Sequence, residues 1–220
     1  ETISLEEFVV LGTRGEPRSQ LDTPVPVDVI DVQRIVKDVG QVSVNQILNY
    51  VAPSFNSNTQ VLGDGTDHID PASLRGLGPD QVLVLINGKR RHTTSLININ
   101  GTFGKGSVGT DLNAIPTSAI KKIEILRDGA AAQYGSDAIA GVINIILDDQ
   151  VNQIRTNITT GGYVSKNSEG TMDGENVQAN VNFGLPLGTK GGIINLAGSF
   201  DLRNPTNRMK ELTGVIYNDY

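Results

Sequence analysis

Apolar and polar positions change rhythm twice along this chain. In residues 1–24 a short apolar piece, Phe8-Val9-Val10-Leu11, follows acidic residues and precedes Gly12, Gly15, Pro17 and Pro24. It is too short to form a core element by itself. Residues 25–150 mix strand and helix periods in one compact domain. Val25, Val27, Val29, Ile30 and Val32 read as a first strand. At Ser43-Val44-Asn45-Gln46 a serine oxygen is placed to accept the N3 amide and a glutamine to reach back, which predicts a helix start. Ile47, Leu48 and Val51 continue it at helical spacing and Pro53 stops it. The unbroken apolar run Val82–Ile86 predicts a strand buried on both faces. Asn87-Gly88, both tolerant of positive φ, predicts a hairpin returning through Lys89–His92. Ile120–Leu126 alternates with Lys121, Lys122 and Glu124 as a further strand. Ala130–Tyr134 reads as a short helix and Val142–Leu147 as a last apolar strand.

From residue 151 the period is two. In Val177-Gln178-Ala179-Asn180-Val181-Asn182-Phe183 every odd residue is apolar and every even one an amide. Ile194–Arg203 alternates likewise, with apolar residues or glycine at even positions, and Ile154, Thr156 and Ile158 begin a weaker strand. Each strand is about ten residues long, the length a tilted strand needs to cross a bilayer. A short turn, Pro186 to Gly191, joins the second and third strands. Longer polar stretches, Val164–Gly174 and Asn204 onward, lie at the other side. Periodicity alone fits both a soluble antiparallel sheet with one wet face and the start of a barrel wall.

Composition narrows the classes. The 25 glycines and 5% aromatic content suit turn-rich β structure. A net charge of -6 argues against nucleic-acid binding, which needs basic surface to displace counterions. There are no cysteines, hence no disulfide framework or thiolate metal site. No apolar run reaches the length of a membrane helix. The opening Glu1–Glu7 is acidic where a secretory signal would be basic, so the expectation is a mature chain or one that is not exported.

Few residues announce chemistry. Gly104-Lys105-Gly106-Ser107-Val108-Gly109 spells the dinucleotide hexamer. It lacks the preceding buried strand, and Pro116 interrupts the stretch where the helix would have to run; it reads as a flexible glycine-rich loop. His68 lies among Asp64, Asp67 and Asp70, and His92 comes after Lys89-Arg90-Arg91. Neither has partners at metal-ligand spacing, so no metal site or cofactor is expected. No nucleophile with its base is visible, and an enzyme is not expected. Arg75 and Arg127 each sit near glycine and core-like residues. They read either as surface arginines or ones paired to a nearby carboxylate such as Glu124, or as forks aimed at carboxylates of a partner surface.

The stretch from Asp111 to Leu147, DLNAIPTSAIKKIEILRDGAAAQYGSDAIAGVINIIL, closely resembles the C-terminal plug motif of TonB-dependent receptors. Leu74-Arg75-Gly76, with Val82–Ile86 and Asn87-Gly88 after it, is similar to that family's Arg-Gly motif and its strand-turn, with Asn87 where Asp is commoner. The resemblance implies an α+β plug domain, a small mixed sheet with short helices, followed by antiparallel transmembrane β-barrel strands. The implied division is a TonB-box leader at 1–24, a plug at 25–150 and about three barrel strands at 151–220, too few to close a barrel. It implies energised import across the bacterial outer membrane, with the plug facing the periplasm. Glu7, Phe8, Val9, Val10 and Leu11 would be the segment that pairs with TonB, itself coupled to the ExbB/ExbD complex. Arg75 and Arg127, with Glu124, would lock the plug to the remainder of the barrel. Val177, Ala179, Val181 and Phe183 would face outer-membrane lipid, and Gln178, Asn180 and Asn182 the lumen. Asp64, His68, Phe103 and Lys105 would lie on ligand-facing loops. An iron-siderophore is the default ligand, with cobalamin, oligosaccharide and peptide open. The alternative is a soluble plug-like interaction module.

Overall fold

In the computed structural model the described residues are 8–9, 11, 18–19, 26–39, 43–57, 69–99, 101–127, 130–164, 172–189 and 191–206. In chain order the elements are β1 (Phe8–Val9), β2 (Arg18–Ser19), β3 (Val27–Asp31), α1 (Val32–Val39), α2 (Val44–Val51), β4 (Phe55–Ser57), β5 (Ala72–Leu74), β6 (Val82–Ile86), β7 (Lys89–Arg90), β8 (Ile120–Leu126), α3 (Ala130–Tyr134), β9 (Gly141–Leu147), β10 (Ile154–Val164), β11 (Met172–Leu187) and β12 (Gly192–Arg203).

A five-stranded mixed sheet, in the order β3-β8-β9-β6-β7, is the frame of the first part. β6 and β9 run parallel; the other pairs are antiparallel. Two apolar layers cover its two faces. One joins Ile123, Ile125, Ile143, Ile145, Val82 and Val84 to Val32, Val36, Ile47 and Leu48 of the helices. The other face carries Val27, Leu83, Leu85, Leu126 and Val142, closed over by Ala138 and by Leu11 of the leader. Strands buried on both sides must be apolar at consecutive positions, which is why β6 reads as an unbroken run.

The first strand ends earlier than the valine pattern predicts. Asp31 Oδ1 accepts the Arg34 N–H at 3.0 Å, the side-chain cap of a helix start. Val32, Ile35 and Val36 then recur at helical spacing, so Val32 opens α1 instead of extending β3. The start of α2 is as predicted: Ser43 Oγ accepts the Gln46 N–H at 3.3 Å. Asn87 (φ 49) and Gly88 (φ 76) make the hairpin turn, with β7 shorter than expected because only Lys89 and Arg90 pair. Strand β8 and helix α3 occupy the predicted residues. The glycine-rich hexamer is a loop, but a tied one. Thr94 and Asn98 donate main-chain hydrogen bonds to Gly109 and Ser107, and Gly106 donates back to Asn98.

Residues 154–203 form an antiparallel meander, β10-β11-β12. Its faces are inverted relative to a soluble sheet. Gln178, Asn180 and Asn182 are buried toward the plug, while Ile158, Val181, Leu196 and Phe200 stand in the open. The register stacks this outer face: Ala179 lies between Ile158 and Phe200, and Phe183 between Ile154 and Leu196. Inside, Asn182 and Asn195 exchange two amide hydrogen bonds at 2.8 and 3.1 Å. Among the described residues β10 and β12 are each paired along one edge only, and no helix is long and apolar enough to cross a membrane.

Candidate functional site

Leu11 of the leader is packed on the plug sheet. β1 pairs antiparallel with β2 of the same leader, Phe8 opposite Ser19 and Val9 opposite Arg18. Leu11 is 1% exposed and belongs to the second apolar layer. Its main-chain N–H donates to Glu124 Oε2 at 3.2 Å. Glu7 and Val10 lie outside the described residues.

Glu124 is fully buried in the middle of β8. A buried carboxylate must be hydrogen-bonded and charge-compensated. Lys122 Nζ lies 3.1 Å from Oε1, and Asn144 Nδ2 donates to Oε2 at 3.2 Å. Asn144 stands directly opposite Glu124 in the β8–β9 register. Its Oδ1 accepts the Gly88 N–H at 3.0 Å, joining the leader contact to the β6–β7 hairpin. Asn144 was not among the predicted site residues. The signal for it was present: one amide inside the apolar run Val142–Leu147.

The two arginines meet at one end of the sheet. Arg75 takes a left-handed backbone (φ 57) ahead of Gly76 (φ 75), and its N–H donates to the Ser54 carbonyl at 2.7 Å. This turn lets its guanidinium donate to the Arg127 carbonyl at 2.6 Å. Arg127 itself pairs with Asp28 at 2.6 Å. The sequence offered a nearby carboxylate such as Glu124 as one candidate partner, and the carboxylate that Arg127 meets is Asp28. Alternation along β8 turns Glu124 onto the leader-covered face, whereas Asp28 on the neighbouring β3 is in reach.

Of the expected ligand-facing residues, Phe103 and Lys105 are exposed on the tied loop, and Ile97 and Ile99 stand beside them. Asp64 and His68 lie outside the described residues, as does Asp67. Among the described residues no three potential metal ligands come together. At the surface Arg90 donates to Asp137 at 2.5 Å and to the Tyr134 carbonyl. The Arg90 hydrogen bond, with a second from Ser136, holds the Asp137 carboxyl below its ordinary value. The Lys121 ammonium, 2.8 Å from Asp149, does the same there.

The meander attaches to the plug by polar contacts. Asp148, just after β9, pairs with Arg155 of β10. Ser118 Oγ donates to the Val181 carbonyl at 3.4 Å, and a cleft of about 730 Å³ runs between Gln33, Lys37 and Thr117 on one side and Thr156 and Asn180 on the other.

Comparison with known proteins places this arrangement. Residues 19–142 match the family model described as TonB-dependent Receptor Plug Domain. The ferric enterobactin receptor PirA of Pseudomonas aeruginosa is 28% identical over 185 residues, 84% of this chain and 24% of that protein. The vitamin B12 transporter BtuB of Vibrio vulnificus is 34% identical over 158 residues, 70% of this chain and 22% of that protein. The crystal structure of the siderophore receptor PirA from Acinetobacter baumannii superposes with a TM-score of 0.56 at 27% identity, covering 80% of this chain and 24% of that one. A mutant of the ferric enterobactin receptor PfeA from Pseudomonas aeruginosa, in complex with enterobactin, gives 0.58 at 25% identity, covering 80% and 24%. The chain thus spans about a quarter of the length of the relatives it matches.

Proposed function

The chain belongs to the TonB-dependent receptor plug domain family, and from that premise we propose that it is the gate and first wall strands of an outer-membrane importer. One observation carries the wall. The sheet after the plug turns its amides inward and its aliphatic and aromatic side chains outward. A soluble module would bury the second set and wet the first. A barrel with a plugged lumen in lipid needs the opposite, as here.

In this reading a scarce ligand, an iron-siderophore first and cobalamin second, binds at the outer face of plug and barrel loops. Relatives named for ferric enterobactin and vitamin B12 support these two classes. The loop that presents Ile97, Ile99, Phe103 and Lys105 offers an apolar surface with one cation. Ligand binding shifts the population in which the leader is free on the periplasmic side. Residues 7–11 then add as a strand to TonB, which is energised through ExbB/ExbD. Arg75 and Arg127 lock the plug to barrel carboxylates, with Asp28 holding the Arg127 fork in position. The relatives are receptors and transporters, and import, not catalysis, is the proposed activity.

Deletion of residues 6–12 in the intact receptor tests this. Energised uptake should be lost while ligand binding is kept. Uptake that survives the deletion refutes the role given to the leader.

A further inference from the structure

We propose that the tied loop 94–109 is a rigid apolar seat for an electrically neutral, amphipathic ligand, and that it discriminates against multiply anionic iron chelates. The inference rests on the reading of the chain as an importer's gate with this loop turned toward the ligand. It goes further by naming the charge class of that ligand.

The glycine-rich hexamer accounts for the rigidity. Gly104 takes φ 74, and a Cβ there would meet the Pro79 ring and, at 2.9 Å, Ser107 Oγ. A Cβ at Gly109 would lie 3.0 Å from Pro79 Cβ. Both glycines therefore let the backbone lie directly on Pro79, just ahead of β6. Ser107 closes the turn, its N–H and Oγ donating to the Gly104 carbonyl at 2.9 and 2.6 Å. The Thr102 N–H donates to the Ile99 carbonyl at 3.0 Å. Asn98 and Thr102 are buried at 4% exposure, whereas Ile97, Ile99 and Phe103 of the same loop stay in the open. A loop free to collapse would exchange these two sets. Apolar side chains held outward on a fixed backbone lower the ordering cost of binding.

Charge sets the class. Between His92 and Asp111 the sequence holds one charged residue, Lys105. The cations on the inward face of β10 and β12 are already compensated. Arg155, opposite Asn182, pairs with Asp148, and Arg203, opposite Asn176, pairs with Asp201 at 2.7 Å. The basic run that begins at Lys89 starts at the other end of β6. There Lys89 and Arg90 stand opposite Ile86 and Leu85, and Arg90 is held by Asp137. The five residues of β6 span about 13 Å, beyond the Debye length of about 8 Å at physiological salt. A trianion leaving water needs several fixed cations or donors, and Lys105 is one. A neutral ligand loses little hydration and gains the surface of Ile97, Ile99 and Phe103. Neutral ferric trihydroxamates and neutral cobalamins share this chemistry.

The test measures binding to the intact receptor in lipid vesicles. The probes are ferrichrome (a neutral ferric trihydroxamate), cyanocobalamin (also neutral) and ferric enterobactin (a trianion). One neutral probe should bind at least about tenfold more tightly than the trianion, and which of the two binds distinguishes the sources. Its Kd should change less than about twofold between about 50 and about 500 mM salt. Phe103→Ala should weaken it about tenfold or more, and Phe103→Leu should recover most of that loss. Lys105→Ala should leave it within about twofold. Gly104→Ala should weaken it while removing no apolar side chain. Tighter binding of ferric enterobactin, a steep salt dependence, or a larger loss at Lys105→Ala than at Phe103→Ala overturns the proposal. So does binding of neither neutral probe. A receptor that prefers the trianion, yet loses uptake on deletion of residues 6–12, would sink the charge class and leave the importer reading standing.

Discussion

Replacing Val181 by arginine separates a membrane wall from a soluble sheet. Val181 is 44% exposed at the centre of the outward row Val177, Ala179, Val181, Phe183 and Leu185 of β11. It lies between Thr156 on β10 and Gly198 on β12, neither of which can neutralise a cation. At about 3.4 Å per residue the row from Val177 to Leu185 advances about 27 Å. With a tilt of about 40° this is about 21 Å of height, close to the apolar band of about 25 Å on outer-membrane barrels. In the proposed wall Val181 sits near the bilayer midplane, where an arginine costs about 2–4 kcal/mol. The equilibrium between folded and unfolded receptor should fall by about 30-fold or more. Leu187→Arg, at the turn end of the same strand, should cost only about 0–1 kcal/mol. The measurement is a reversible urea titration of the intact receptor in lipid vesicles. On a water-facing sheet the Val181 change would stay within about 0.5 kcal/mol of the parent. That result, or equal costs at positions 181 and 187, refutes the assignment of this face to lipid.

The plug supplies two more expected outcomes. Gly141 opens β9 at φ 144, and an added Cβ would lie 2.5 Å from both the Leu126 carbonyl oxygen and Leu74 Cδ2. Gly141→Ala should destabilise the plug by about 2–4 kcal/mol in a denaturant melt, whereas Gly76→Ala, at φ 75 with open space around it, should cost about 1 kcal/mol. Equal losses at the two sites would show that backbone angle, not the close approach, sets the cost. Asp137 has its carboxyl lowered by the hydrogen bond from Arg90, so it stabilises the fold above the unfolded value near 3.8 and loses this as pH falls through the lower folded value. Asp137→Asn should therefore lower the melting temperature slightly at pH 7 and leave it unchanged in acid strong enough to protonate the carboxyl in both states; a penalty undiminished there would contradict the pairing.

The local chemistry of the chain was legible from sequence wherever one period or one cap decided the outcome. Asn87-Gly88 fixed a turn because few dipeptides accept two positive φ angles. Ser43 fixed the start of α2 because its oxygen satisfies an otherwise orphaned amide. The alternation of residues 177–183 fixed two faces of a strand, since a pleat permits nothing else. Which face met what was not legible. The same alternation serves a wet sheet or a barrel wall, and only the packing of Asn180 and Asn182 against the plug decided it. Val32 misled because β-branched residues suit a strand, and the Asp31 cap that starts α1 depends on one side-chain rotamer.

The leader shows the same division most sharply. The sequence determined a short apolar segment next to acidic residues, and the family resemblance gave it a partner. It could not tell that Leu11 closes the second layer of a sheet more than a hundred residues away, or that Glu124 is buried there instead of meeting Arg127. Those contacts join residues 11, 124 and 144, and no local period carries information across such separations. They exist because the mixed sheet has two faces to bury and only the folded chain decides which segment covers each.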